Sequence, residues 1–183
     1  MSLAGESDEM LMGRICTGER EPLSVLLRRF ADPLLTFIHR LGVSSQQCEE
    51  VFQEVFLAVW THRQRYDRSR PFKSWFFGIA ANKCKASLRH TRPSEQLDHD
   101  PRWTGFGAAP DERMISRETA ELVAEAVSQL PIRQREVVVM RLWNDMSYAE
   151  IAAALDRSES TIRTNMSFGL ESLRKFLEPR MRE

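Results

Sequence analysis

A chain of 183 residues with 42% hydrophobic side chains is long enough for one medium domain or two small ones, each with an apolar core. Its 26 basic and 26 acidic residues cancel overall, so net charge alone commits the protein to no partner. Cys16, Cys48 and Cys84 are widely spaced and form no C-x-x-C pair, which argues against a disulfide framework or a zinc site and for a reducing cytoplasm.

Apolar residues recur at intervals of three and four throughout, and no stretch alternates as a strand does, so an all-α fold is expected. Helices are predicted near Asp8 to Gly18, Glu21 to Gly42, Ser45 to His62, Phe72 to Thr91, Ser116 to Leu130, Ile132 to Trp143, Tyr148 to Leu155 and Glu159 to Leu177. Within the second, Asp32 before Pro33 can restart or kink the helix, and Gly42 marks its end. The third buries Cys48, Val51, Val55 and Val59. It turns Glu50, Gln53, Glu54 and Leu57 to a different face, a strip that by itself indicates only a solvated helix. In the fourth, Phe72, Phe76, Ile79, Ala80 and Leu88 form an inward stripe, while Lys85, Arg89 and Arg92 follow one another at steps of four and three on another face.

Opposite charges are segregated along the chain. Residues 1–61 carry a net −4, 62–92 a net +8, 93–125 a net −5 and 126–183 a net +1. The basic block holds Arg63, Arg65, Arg68, Arg70, Lys73, Lys83, Lys85, Arg89 and Arg92 against the single acid Asp67, with Tyr66, Phe72, Trp75, Phe76 and Phe77 set among them. Cations neutralise phosphates and exposed rings stack on unpaired bases, so the segment reads as a surface for single-stranded nucleic acid. The phenylalanines read more simply as core. The polar turn from Arg65 to Pro71, restrained by its proline, suits a loop that holds an unpaired base.

From Arg92 to Arg113 prolines, glycines and acids replace any apolar periodicity, which predicts a flexible linker over 92–113 between domains at 1–91 and 114–183. Beyond it, Ser147 and Glu150 have the spacing of a capping box at the start of a short helix through Ile151, Ala152 and Leu155. A turn at Asp156 and Arg157 follows, and Ser158 caps a longer helix with apolar positions Ile162, Met166, Leu170, Leu173 and Leu177. Small Ala152 and Ala153 permit a close crossing, so the pair is expected to be a helix-turn-helix with its second helix in a major groove. Glu159, Ser160, Arg163, Thr164 and Ser167 lie off the apolar stripe, free to reach base edges or phosphates.

These residues together resemble the small, two-domain extracytoplasmic function group of bacterial RNA polymerase sigma factors. The N-terminal likeness is carried by Glu49 to Trp60, then Pro71, Phe72 and Trp75, then Ile79, Ala80, Asn82 and Arg89. The C-terminal likeness is carried by Leu130-Pro131, Arg135-Glu136-Val137, Arg141, Met146-Ser147-Tyr148, Glu150-Ile151-Ala152, Leu155 and Thr161-Ile162-Arg163. The resemblance implies a four-helix region 2 type domain that binds core polymerase and melts the -10 promoter element, and a region 4 type helix-turn-helix domain that reads the -35 element as duplex. It implies core-polymerase binding by Glu50, Gln53, Glu54 and Leu57. For -10 DNA it implies Arg65, Tyr66, Arg68, Arg70, Lys73, Trp75, Asn82, Lys83, Lys85 and Arg89, and for -35 DNA Ser158, Glu159, Ser160, Thr161, Arg163, Thr164 and Ser167. It implies a cognate anti-sigma factor as regulator. The chain departs from the family pattern at Ala86, where an Asp is common, and over Thr164 to Phe168, where two basic residues are usual. Base contacts are therefore not carried onto Asn165 or Phe168.

No catalytic site, metal, cofactor or small-molecule substrate is expected, since His39, His62, His90 and His99 are scattered and lack a nucleophile, paired carboxylate or phosphate loop beside them. Nor is membrane insertion expected: Met1 to Met10 carry acids where a secretion signal is basic, and the longest apolar run, Val55 to Trp60, is too short. The alternative reading is a helix-turn-helix repressor or activator that does not replace the sigma subunit. It predicts tight binding of the free protein to dyad-symmetric sites.

Overall fold

The structure is a computed structural model that describes residues 3–90 and 117–180. The predicted linker over 92–113, Arg92 and both domain boundaries lie outside the described residues. Among those described, eight α-helices form two helical domains: α1 (Asp8–Cys16), α2 (Glu21–Arg40), α3 (Ser45–Thr61) and α4 (Phe72–His90), then α5 (Arg117–Ser128), α6 (Ile132–Leu142), α7 (Tyr148–Leu155) and α8 (Glu159–Arg180). No helix among them is long and apolar enough to cross a membrane.

Helix ends follow local chemistry. The Ser7 hydroxyl accepts from the Met10 N–H at 3.2 Å to open α1, and Gly42 takes a φ of +90° just past the end of α2, a conformation that favours glycine. Pro33 is accommodated inside α2 without ending it. The capping box of α7 is fully formed, with Ser147 N–H donating to Glu150 at 2.8 Å and Glu150 N–H donating to the Ser147 hydroxyl at 3.2 Å.

α4 begins with help from far away. Its first N–H, on Phe72, is one of the donors a helix start leaves unpaired, and it donates to the Glu9 carboxylate of α1 at 3.0 Å. Burial tends to raise the Glu9 pKa, but the bonds from Phe72, its own N–H and Ser7 outweigh this and leave it lowered. A lowered folded value means the contribution is present above the unfolded value near 4.5 and is lost as pH falls through the folded one. Glu9→Ala should therefore cost about 1 kcal/mol at pH 7 in urea unfolding, with wild type and variant converging as pH falls below the usual carboxylate range.

The N-terminal core is a cluster of rings. Phe30 meets Phe76 at 4.8 Å between centroids, and Phe37 meets Phe77 edge-on at 5.2 Å. Cys48, Val51, Val55 and Val59 are buried as the third helix predicts. α4 is buried more widely than its predicted stripe, because Phe77, Ala81 and Cys84 are inside as well as Phe72, Phe76 and Ala80. The reason is tertiary. α2 and α3 cover one side of α4, and α7 of the second domain packs on another in the most extensive helix pairing among the described residues.

One predicted apolar position is corrected in α8. Leu170 is 46% exposed, and Gly169 stands in the stripe with Ile162, Met166 and Leu173. A Cβ on Gly169 would lie 2.7 Å from a Val138 methyl, so glycine lets α6 and α8 approach closely.

Candidate promoter and polymerase surfaces

The loop between α3 and α4 is organised by its lone acid. Asp67 accepts from the Ser69 N–H at 3.0 Å and the Ser69 hydroxyl at 2.7 Å, and meets Arg70 at 3.3 Å. The Ser69 bonds hold its carboxyl below the usual range. Arg68 reaches back to donate to the Gly13 carbonyl at 3.0 Å. An Asx-type turn of this kind fixes the loop before any ligand arrives, and the Asp67-Arg68-Ser69 spacing is its sequence signature. Arg65, Arg68 and Arg70 are left on the surface.

Tyr66 departs from the expectation of an open, base-stacking ring. It is 7% exposed, its ring lies 5.3 Å from Trp75, and its hydroxyl donates to the Arg70 carbonyl at 2.7 Å. Burial pushes its pKa up to about 12, so it remains a donor at physiological pH. In this conformation Tyr66 supports the loop, while Trp75 is half-buried. Trp60 adds a second aromatic station. The Arg63 guanidinium lies 4.3 Å from its centroid and Arg20 lies 5.7 Å away.

Along α4, Asn82 and Arg89 are exposed, whereas Lys83 and Lys85 are half-buried and engaged. Lys83 meets Glu54 of α3 at 3.0 Å, which ties the basic helix to the acidic strip. Lys85 reaches Glu136 of α6 at 3.4 Å, and Arg157, in the turn before α8, holds the other carboxylate oxygen at 2.8 Å. Glu136 is wholly buried, and burying a carboxylate is costly unless it is paired in this way. On α3, Glu50, Gln53 and Leu57 line one exposed face, Leu57 with 64% of its surface open to solvent.

At the start of α8 the Ser158 hydroxyl accepts from the Thr161 N–H at 3.2 Å and lies 2.8 Å from the Thr161 hydroxyl, so both side chains serve the cap first. Arg163 is held by Glu159 at 3.3 Å and lies over the Tyr148 ring at 4.5 Å from its centroid. Thr164 and Asn165 donate back to the Ser160 and Thr161 carbonyls at 3.0 and 2.9 Å. Glu159, Ser160, Thr164 and Ser167 present an exposed, mostly neutral face with Arg163 as its cation. Among the described residues no group of His, Cys, Asp and Glu is arranged to hold a metal. Burial pushes the Cys84 thiol well above its usual range, as expected of an inert core cysteine.

Arg135 and Glu136 carry part of the family likeness in the sequence, and the fold gives each of them a partner. Arg135 donates to the carbonyl of Leu41, just past the end of α2, at 2.8 Å and to the Leu130 and Ser128 carbonyls, closing the α5–α6 turn onto the other domain. Burial lowers its pKa. No local signal in the sequence announces a partner 94 residues away.

A ring-cored bundle with acidic and basic helices side by side, followed by a capped helix-turn-helix, is the architecture of a two-part transcription factor. Comparison with known proteins makes the class specific. Residues 26–93 match sigma-70 region 2 and residues 120–173 match sigma-70 region 4. The ECF RNA polymerase sigma factor SigD of Mycobacterium tuberculosis is 29% identical, with 95% of this chain and 85% of that protein covered. The sigma-E factor of Escherichia coli is 25% identical over 96% of this chain and 97% of that protein. Among solved structures, CnrH in complex with the cytosolic domain of CnrY is 23% identical and shares the fold with a TM-score of 0.75. The alignment covers 95% of this chain and 99% of that one. The sigma factor RpoE bound to the anti-sigma factor NepR, from Bartonella quintana, is 17% identical with a TM-score of 0.64, and covers 87% of this chain and 98% of that one. The chain belongs to the sigma-70 family, in its extracytoplasmic function group.

Proposed function

We propose that this protein is a dissociable sigma subunit that joins core RNA polymerase, recognises a -10 and a -35 promoter element, opens the promoter and starts transcription of a regulon. The observation that carries the reading is the juxtaposition on one small bundle of an exposed acid-edged strip with Leu57 on α3 and the cationic α4 with its Asx-turned loop, bridged by Glu54 and Lys83. One helix faces the polymerase while its neighbour faces DNA. Glu50, Gln53, Glu54 and Leu57 dock on the core enzyme. Arg65, Arg68, Arg70, Lys73, Trp75, Asn82, Lys83, Lys85 and Arg89 engage the -10 strand, with Tyr66 holding their loop. Bases captured from the duplex along this surface convert binding free energy into strand separation without nucleotide hydrolysis.

Ser158 to Ser167 enter the -35 major groove, Arg163 contributing the cation. With few basic side chains on that face, its duplex affinity rests on neutral contacts and on the rest of the holoenzyme. The protein works in the cytoplasm with the polymerase, performs no catalysis of its own, and has an anti-sigma factor as its regulator, in keeping with the anti-sigma complex of RpoE. Domain limits at 1–91 and 114–183, with 92–113 as connector, complete the reading.

The test is transcription in vitro with purified core enzyme and fragmented genomic DNA. Discrete transcripts that require this chain are expected. A chain that never associates with core enzyme, or that binds dyad-symmetric duplex tightly by itself, would falsify the reading in favour of an ordinary helix-turn-helix regulator.

A further inference from the structure

Between α4 and the α5–α6 corner lies a cavity of about 420 Å³ to which the sigma reading gives no task. α4 contributes Lys85, Leu88 and Arg89 to its lining, α5 and α6 contribute Ser128, Ile132 and Arg135, and Gly42 adds backbone. Small-molecule pockets begin at roughly 300 Å³ and combine apolar walls with a few convergent polar groups. This one has that composition, with half-buried Leu88 and Ile132 beside three cations.

The charge of the cavity is out of balance. Arg135 is half-buried, yet its partners are neutral, the carbonyls of Leu41, Ser128 and Leu130, and its Nε finds no acceptor. Gly42 makes room for this arrangement, because a Cβ there would stand 2.7 Å from the Arg135 Nη1. Burial lowers the Arg135 pKa, so the fold holds that cation in place at a cost. Arg89 is exposed and pairs with no acid among the described residues. Lys85 meets Glu136 at 3.4 Å, but Arg157 shares the same carboxylate at 2.8 Å. A buried or half-buried cation without a counter-charge is costly, and an anion in the cavity would relieve it.

We infer that this cavity is a binding site for a free nucleoside monophosphate. A phosphate monoester carries about −1.5 to −2 charge at pH 7, which suits two arginines lacking an acid partner better than a single carboxylate would. Its oxygens take the Arg89 guanidinium and the Lys85 ammonium, with Arg135 adding Coulomb attraction. The sugar and base lie against Leu88 and Ile132. Lys85 and Arg89 also belong to the face proposed for -10 DNA, but a recess of this volume takes one nucleotide unit and not a strand. The site therefore goes beyond the sigma reading and does not depend on it.

Calorimetric titration of the full-length chain with AMP, GMP, CMP and UMP, beside the matching nucleosides and inorganic phosphate, tests the assignment. At least one mononucleotide should bind one-to-one, about ten-fold or more tighter than its nucleoside and than inorganic phosphate. Arg89→Ala should weaken that binding about ten-fold, and Ile132→Trp, which fills the cavity, should abolish it. Circular dichroism reports whether Ile132→Trp stays folded, and Arg89→Ala, at an exposed position, decides the matter if it does not. Arg65→Ala, which removes an exposed cation from the loop before α4, should leave nucleotide affinity unchanged. No mononucleotide outbinding inorganic phosphate, unchanged affinity in Arg89→Ala, or an equal loss in Arg65→Ala would each overturn the site, the last by moving the binding to the loop. Core polymerase takes no part in these titrations, so their failure leaves the sigma reading to the transcription assay.

Discussion

Replacing Lys85 and Arg89 together by glutamate is expected to abolish promoter opening while leaving association with core polymerase intact. The two side chains are one turn apart on α4, and each reversal exchanges a phosphate attraction for a repulsion. For a single strand, losing two phosphate contacts should flatten the slope of log affinity against log salt by about 1.4. Permanganate footprinting of unpaired thymines on a promoter fragment, beside gel filtration with core enzyme, reads both properties. Loss of both together would contradict the division of labour between α3 and α4. The single variants also separate two roles. Lys85→Glu places a carboxylate where Lys85 now meets the buried Glu136 at 3.4 Å, and so drives the domains apart as well as repelling DNA. Arg89→Glu, exposed and without that partner, should weaken DNA binding and leave the compactness of the free chain unchanged.

Leu57→Arg should produce the converse phenotype. An apolar side chain with 64% of its surface in water, edged by Glu50, Gln53 and Glu54, has the form of an interface hot spot: a hydrophobic anchor within a polar rim. Truncating or charging such an anchor costs about 2 kcal/mol or more, about thirty-fold in dissociation constant. Because Leu57 supports no core contact, thermal stability should stay within about 0.5 kcal/mol of wild type. Core binding by biolayer interferometry, set beside DNA binding by the free chain, provides the measurement, and unchanged polymerase affinity would remove α3 from the docking surface. Glu54 is a less clean target. Its carboxylate also restrains Lys83 at 3.0 Å, so Glu54→Ala alters the DNA face as well.

The helices, their caps and their order were legible because each depends on residues close in the chain. A stripe at three and four, Ser147 with Glu150, or Gly42 after α2 are short-range statements, and the folded protein keeps the capping box and the glycine end as expected. The charge of the segment was legible too, since nine cations against one acid over residues 62–92 make it basic in any packing arrangement. The fate of individual side chains was not. Tyr66 is a candidate stacking ring in the sequence and a loop support in the fold, because Phe72 and Trp75 close over it. Leu170 gives way to Gly169 because α6 comes near enough that only a hydrogen fits.

Sequence alone determined an all-helical chain, a basic segment with aromatic residues among its cations, a helix-turn-helix beyond it, and through its motifs the family. Tertiary structure alone decided that Glu9 starts α4, that Arg135 grips the end of α2, and that Lys85 is held by Glu136. Periodicity and capping are set within a few residues, but the partner of a buried or half-buried charge is set by which helices pack together, and that choice is made across the whole chain.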